Sequence, residues 1–370
     1  MGSGTKARVL REAKRLLEAG VAGRVFPGAV GCFAYRENDA WTYATAFAGS
    51  RGRTMSSVQS DTPYDLASIT KSFVAATALR MTEAERLSLD LTVGSALSDI
   101  RGGVGEPASL ELLLSHRSGV AAWGGLYLDV PHEPGSPAAR RWILNEASRR
   151  KGEGPPGNCE YSDLGYMLAG EMIGRRAGRG LARAVTDFVL DPLGISQKVY
   201  YAADLPSDKR SLLTRVAAAT EHCDWRGRMI TGEVHDENCA ALGGVSGHAG
   251  LFGDAAGVAR FGTELLDVYA ERSTFLAKAS LVHALQERGG GGSYRLGWDV
   301  KSGDTPAAGR RTSAKTFGHL GFTGTSLWCD PDRDVAVVLL TNRVHPSRAN
   351  EKIRGFRPAF HDGVIAAYEG

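Results

Sequence analysis

Ser68 and Lys71 lie three positions apart in Ser68-Ile69-Thr70-Lys71. On the first turn of a helix that interval puts both side chains on one face and brings an amine within reach of a hydroxyl. A serine hydroxyl is a weak nucleophile at neutral pH, and an adjacent base activates it. Alone the pattern is weak, because serine and lysine fall at this interval by chance in most long chains; an exposed helix turn is the ordinary alternative. The flanking residues decide against that alternative. Asp65-Leu66-Ala67 precedes the pair and Ser72-Phe73-Val74-Ala75-Ala76-Thr77-Ala78-Leu79 follows it, so the helix is small and apolar, as in a buried helix. A lysine at its start is partly desolvated, which lowers its pKa toward what a general base needs.

Two further segments carry candidate chemistry. Tyr161-Ser162-Asp163 follows Pro155-Pro156-Gly157 and enters an apolar helix. There Ser162 or Asp163 is either an N-cap or a site residue. His319-Leu320-Gly321-Phe322-Thr323-Gly324-Thr325 has small residues flanking a predicted strand, which lets a substrate approach the backbone; a tight turn with a satisfied histidine is the alternative. Trp123 and Tyr127, with Trp225, are candidates for stacking on an acyl or alcohol group, or else are core aromatics. His222, Cys223, His235 and Cys239 have metal-ligating atoms, and His235 and Cys239 are spaced for one helix face. No paired C-x2-C accompanies them, so no metal and no cofactor is expected. The stretch from Gly232 to Phe252 reads as a loop lining the cleft, with Asp236, Glu237 and Asn238 placed to meet substrate.

These residues need elements to hold them. A charged amphipathic helix covers Ala7 to Ala19, and two strands, Ala29 to Tyr35 and Trp41 to Ala48, flank the polar turn Arg36 to Asp39. The nucleophile helix is expected over Thr70 to Leu87. A helix-rich middle follows: Leu110 to Leu114, Ser136 to Arg150, Leu164 to Ala177 and Leu181 to Leu190. The loop Gly289 to Gly292 precedes an expected strand Tyr294 to Val300. Thr325 to Cys329 and Asp334 to Thr341 read as a hairpin across Asp330-Pro331-Asp332-Arg333. Val335 to Leu340 is nearly all apolar, as in a strand buried on both faces. A last helix is expected from Arg348 to Tyr368. Strands at both ends around a helical middle imply an α/β (α+β) chain whose sheet is built from both termini. The division is a discontinuous sheet domain, 5–80 plus 255–370, with a helical insertion, 81–254.

Composition excludes several classes. The 370 residues are 43% hydrophobic and 23% charged, with a net charge of +3, ordinary for a globular protein and too weakly basic for a nucleic-acid partner. No apolar run is long enough to span a membrane. Five irregularly spaced cysteines argue against a disulfide framework, and no apolar leader core precedes the first helix, so a cytoplasmic location is expected.

The order and separation of the three segments resemble the serine β-lactamase-like and penicillin-binding superfamily, on its class C β-lactamase and family VIII carboxylesterase side. Leu113-Leu114-Ser115-His116-Arg117-Ser118-Gly119 looks like that family's L-L-x-H-x-S-G turn, Pro192-Leu193-Gly194 like its P-L-G helix end, and Gly250-Leu251-Phe252 like its G-G-L element. The resemblance implies an antiparallel sheet of N- and C-terminal segments flanked by helices, with an inserted, mainly helical domain. It implies that Ser68 becomes acylated, that Lys71 and Tyr161 share the proton work, and that the oxyanion sits between the N–H groups of Ser68 and Phe322, past His319 and Gly321. Which of Lys71 and Tyr161 is the acylation base stays open.

Two departures bear on the substrate. The family's β-lactamases carry K-T-G where this chain has His319-Leu320-Gly321, and Asp163 replaces the usual Asn. At an effective dielectric near 20, carboxylates ~4 Å apart repel by roughly 4 kcal/mol. A neutral or cationic ester or amide is therefore expected, and a carboxylesterase above all. Alternatively Asp163 pairs with Lys71 and holds it charged, which puts the base role on Tyr161. An acyltransferase, a D-amino-acid amidase, a penicillin-binding DD-peptidase and a weak β-lactamase are the alternatives with the same acyl-enzyme. A non-catalytic binding module is disfavoured by the joint presence of Ser68, Lys71 and Tyr161. The partner expected is a small acyl compound.

Overall fold

Asn38 and Asp39 both take positive φ (49° and 61°), and across them Gly28–Glu37 and Ala40–Gly49 pair as a hairpin from Gly28↔Gly49 to Glu37↔Ala40. Asparagine and aspartate tolerate this conformation, and a two-residue turn of this hand matches the twist of the strands. The computed structural model describes residues 2–52 and 56–370. The hairpin is one edge of a six-stranded antiparallel sheet. Its order is Ala40–Gly49, Gly28–Glu37, Val335–Thr341, Ser326–Asp330, Phe317–Leu320, Asp299–Val300.

The apolar strand Val335–Thr341 lies inside this sheet and is buried along its whole length. Val335, Val337 and Leu339 enter one core with Val9, Leu17, Phe33, Phe360 and Val364. Ala336, Val338 and Leu340 enter the other with Phe73, Phe261 and Leu265. Each buried Val, Leu or Phe side chain among these contributes roughly 1.5–3 kcal/mol of transfer free energy. The first core belongs to the terminal helices Gly2–Ala22 and Ile353–Glu369. The second belongs to helix Ala255–Tyr269 and, packed on it, helix Thr70–Glu83, with Phe73 stacked on Phe261 at 4.0 Å. This core runs on without a break into the helical region through Leu113, Leu164, Leu168 and Val185. A three-stranded sheet, Tyr64–Asp65, Leu251–Gly253 and Val199–Tyr201, ties the segment before Ser68 to that region.

Four elements differ from expectation by more than two residues. The helix from Thr70 ends at Glu83 rather than Leu87, because Glu85 turns left-handed (φ 55°). The last helix starts at Ile353 rather than Arg348, whose backbone N–H and Nε are both held by Glu221 (2.7 and 2.6 Å). The first helix extends beyond Ala7–Ala19, to Gly2–Ala22. The strand expected over Tyr294–Val300 shrinks to Asp299–Val300. Its first part folds back through Arg295 N–H to Trp298 O (2.7 Å), with Gly297 at φ 87° where a Cβ would sit 2.1 Å from Ala75 Cβ. Among the described residues no helix is long and apolar enough to cross a membrane, and no His/Cys/Asp/Glu group is arranged to hold a metal.

Candidate active site

Ser68 stands on a short 3₁₀ turn, Ala67–Ile69, that runs directly into the buried helix Thr70–Glu83. Ala67 is forced to φ 48°, a conformation that costs a non-glycine residue about 1–2 kcal/mol. The buried Asp65 carboxylate holds it there, accepting from the N–H groups of Ala67 (2.8 Å) and His235 (2.6 Å). The Gly321–Thr325 loop is stitched to the same segment. Thr323 Oγ1 donates to Asp65 O (2.8 Å) and Thr325 Oγ1 to Leu66 O (3.1 Å). Only glycine fits at 321, because a Cβ would lie 1.9 Å from Thr325 Oγ1 and 2.6 Å from Leu66 O.

Lys71 is fully buried. Its Nζ reaches Asp163 Oδ1 (2.7 Å), Ser68 Oγ (2.9 Å) and His248 O (3.2 Å), one acceptor for each of three ammonium protons. Asp163 thus pairs with Lys71, the alternative left open by the sequence. Ser162 is the N-cap of helix Asp163–Ala177, taking the Gly165 N–H at 2.9 Å. The two polar residues have split the roles: Ser162 caps and Asp163 faces the lysine.

Tyr161 shares the cleft with Ser68 and has its ring 4.8 Å from Lys71 Nζ. Burial, then the Asp163 carboxylate, push its phenol well above the usual tyrosine range, so it is a neutral phenol at rest. An aromatic stack orients it: His116 at 4.5 Å, Tyr294 at 4.8 Å and His319 at 6.1 Å between ring centroids. His116 is itself fixed, with φ 61° and Nδ1 accepting the Ser162 N–H at 2.9 Å. Burial keeps it neutral, its pKa far below that of a free histidine.

His319 is buried, and its Nδ1–H donates to Leu320 O at 2.7 Å. Burial and the Lys71 charge push it down to about 3, so the ring is neutral with Nε2 an acceptor. Phe322, at 49% exposure, is held between the His235 ring (5.6 Å) and the Arg343 guanidinium (4.5 Å). Among the described residues its backbone N–H makes no hydrogen bond.

Ser68, Tyr161, Asp163, His319, Gly321 and Phe322 all line one cleft of about 660 Å³, with Trp123 on its wall at 51% exposure. Tyr127 is a correction: it does not line the cleft but packs edge-on against Trp225 at 5.1 Å, both half-buried against the core. Sequence reading missed Tyr294, His248 and four arginines, Arg343, Arg348, Arg354 and Arg357, all in the lining. Asp236, expected from the cleft loop, is there; although half-buried, it is driven well below the carboxylate range by His248, whose Nε2 lies 2.9 Å away. With Asp163 neutralised by Lys71 and arginines in the wall, a carboxylate-bearing substrate meets less repulsion here than the sequence suggests.

The buried histidines make acid stability predictable. His319, down to about 3, and His361, down to about 4, bind no proton where the unfolded chain, near 6.5, does. Their contribution is complete above pH 6.5 and is lost as pH falls toward those folded values, by about 2 kcal/mol each at pH 5. The melting temperature is expected to fall steeply from pH 7 to pH 5, and His361→Gln to flatten that slope; an unchanged slope would clear His361 of the effect.

A serine on a buried helix start, a lysine and a tyrosine converging on it, and a glycine loop stitched beside it, all against an antiparallel sheet between helices, are the parts of a serine β-lactamase-like protein. The Beta-lactamase family profile matches residues 13–357, and the chain belongs to that family. A putative D-alanyl-D-alanine carboxypeptidase of Salmonella agona (strain SL483) is 33% identical over 207 residues, 52% of this chain and 47% of that protein. The chain therefore spans about half the length of the curated relatives it matches. Two solved structures share the fold. EstCE1, a hydrolase with promiscuous acyltransferase activity, superposes with a TM-score of 0.74 at 20% identity, covering 97% of this chain and 99% of its own. A penicillin-binding protein homologue from Caulobacter crescentus has a TM-score of 0.71 at 19% identity, covering 97% of both chains.

Proposed function

We propose that this member of the serine acyl-enzyme hydrolase and transferase superfamily is a carboxylesterase acting on a small acyl compound through Ser68. One observation carries the reading: Lys71 Nζ lies 2.9 Å from Ser68 Oγ inside a cleft that also presents Tyr161 and the Phe322 loop. Ser68 Oγ attacks the acyl carbonyl while its proton passes to the Lys71–Tyr161 pair. The oxygen that becomes anionic takes the N–H groups of Ser68 and Phe322, each such donor contributing about 3 kcal/mol. Collapse breaks the bond to the alcohol, which leaves with a proton from Tyr161. Water then repeats the sequence and frees Ser68. Tyr161 is a protonated phenol at rest, so the active form has the Lys71–Tyr161 pair one proton short.

Asp163 bears on that proton, because its charge, after burial, raises the Tyr161 phenol. Asp163→Asn removes that effect. The rising limb of kcat/KM against pH is expected to move to lower pH, the direction that losing an adjacent negative charge gives. An unmoved limb would remove Asp163 from the proton path.

A second reading, cleavage or transfer of a D-amino-acid-terminated acyl donor, is favoured by Arg354 at the cleft, which among the described residues is ion-paired only with the largely exposed Glu351 (2.7 Å). It draws support also from the likeness to a putative D-alanyl-D-alanine carboxypeptidase and to a hydrolase with promiscuous acyltransferase activity. Turnover of nitrophenyl acetate against release of D-alanine from a D-Ala-D-Ala peptide, each with and without an added alcohol, separates the readings. Ester hydrolysis without D-alanine release supports the esterase; D-alanine release in excess of ester turnover overturns it.

A further inference from the structure

The peptide unit between Gly321 and Phe322 is gripped from behind. Its oxygen accepts from Arg357 Nη2 at 2.5 Å, and the same nitrogen donates to Thr325 O at 3.0 Å. The next carbonyl, Phe322 O, accepts from Arg343 Nε (2.9 Å) and Nη2 (2.5 Å). Arg357 comes from the first turns of the C-terminal helix Ile353–Glu369 and is 7% exposed. Among the described residues no carboxylate pairs with it, and its Nε has no partner. Burying a cation without a counter-ion is costly. What offsets that cost here is a pair of charge-assisted hydrogen bonds to the backbone of one loop.

That loop oxygen matters because a peptide is one planar, conjugated unit. Gly321 O and Phe322 N–H are its two ends. A guanidinium on the oxygen draws density from the nitrogen and strengthens the N–H as a donor, and hydrogen bonds chained through one peptide reinforce each other. It also fixes the direction of the N–H, since the plane cannot turn without breaking the contact. We propose that Arg357 is a positioning residue of the oxyanion hole, acting through the Gly321–Phe322 peptide. The inference rests on the acyl-enzyme reading above, in which the Phe322 N–H is one of the two oxyanion donors.

Removing a whole oxyanion donor lowers kcat by about 10²–10³, so weakening one is expected to lower it by about 10- to 100-fold. The test uses Arg357→Ala and Arg357→Lys with nitrophenyl acetate, folding being checked by near-ultraviolet circular dichroism. In Arg357→Ala, kcat is expected to fall within that range while KM stays within about threefold, because the ester is bound equally well before charge develops. Affinity for phenylboronic acid, whose tetrahedral anion on Ser68 occupies the oxyanion hole, is expected to fall by the same factor. Guanidinium chloride below its denaturing range is expected to restore much of kcat in Arg357→Ala, and ammonium chloride to restore none. Should Arg357→Ala not fold, Arg357→Lys carries the test: it keeps the charge and loses the planar fork, so kcat and boronate affinity fall together. Wild-type kcat in a folded variant overturns the inference. So does a loss confined to KM, which would make Arg357 a substrate-binding group, or a kcat loss with unchanged boronate affinity. Ser68→Ala run alongside separates the two levels: if it keeps the ester rate the acyl-enzyme reading fails, and if it is dead beside wild-type-like Arg357 variants only this inference fails.

Discussion

Ser68→Ala is expected to lower nitrophenyl ester turnover by about 10⁴-fold or more, the scale of losing a nucleophile that works as one unit with its base. Stability is expected to stay within about 2 °C of wild type in melting temperature, because the change removes one hydroxyl at a partly exposed position. Lys71 keeps two of its three acceptors, Asp163 Oδ1 and His248 O, when Ser68 Oγ is gone. Steady-state rates and a thermal melt on the same preparation check both halves. A retained rate contradicts the mechanism; a lost rate with a collapsed melt says only that the site was unfolded.

Lys71→Met has the second large effect, and it divides differently. Acid–base help of this kind is worth about 10²–10⁴ in rate, so kcat/KM is expected to fall by about 10³. Breaking a buried ion pair from one side costs about 3–5 kcal/mol, and because Asp163 keeps 19% exposure and rehydrates in part, about 2 kcal/mol is expected here. Removing both charges reverses the sign. Lys71→Met with Asp163→Leu swaps the pair for apolar side chains, an exchange that is neutral to favourable by about 1–4 kcal/mol. Asp163 also opens helix Asp163–Ala177, and losing its charge there returns about 0.5 kcal/mol. The double variant is therefore expected to be inactive and at least as stable as wild type in urea. A double variant less stable than Lys71→Met alone would mean the pair is held for stability rather than chemistry.

The parts of this site that are legible in sequence are local. Ser68 and Lys71 are one helical turn apart and their helix is apolar, so spacing and burial are read from neighbours in the chain. Val335 to Leu340 shows its two-sided burial in the same way, and it separates into the two cores residue by residue. Tyr161 and Phe322 were found through order and resemblance, since nothing local distinguishes them. The rest depends on contacts across the fold. Arg357 reads as one more basic residue on a terminal helix, and its meaning comes from a carbonyl 36 positions away. Tyr127 and Trp225 suit a cleft wall by residue type alone, and in the fold they pack on each other instead. The strand expected over Tyr294–Val300 failed at Gly297, where close approach to Ala75 on the nucleophile helix outweighs strand propensity. The substrate expectation shifted for a similar reason. Asp163 read from sequence as an added negative charge, and in the fold Lys71 cancels it at 2.7 Å.

Covalent catalysis at Ser68 is tested most directly by rapid-quench intact mass after mixing with nitrophenyl acetate, followed by peptide mapping. A transient acetyl adduct on the peptide holding Ser68, absent from Ser68→Ala and decaying at the turnover rate, is the expected result. Ester turnover with no adduct at any quench time, or with the acetyl group on a different residue, would contradict it.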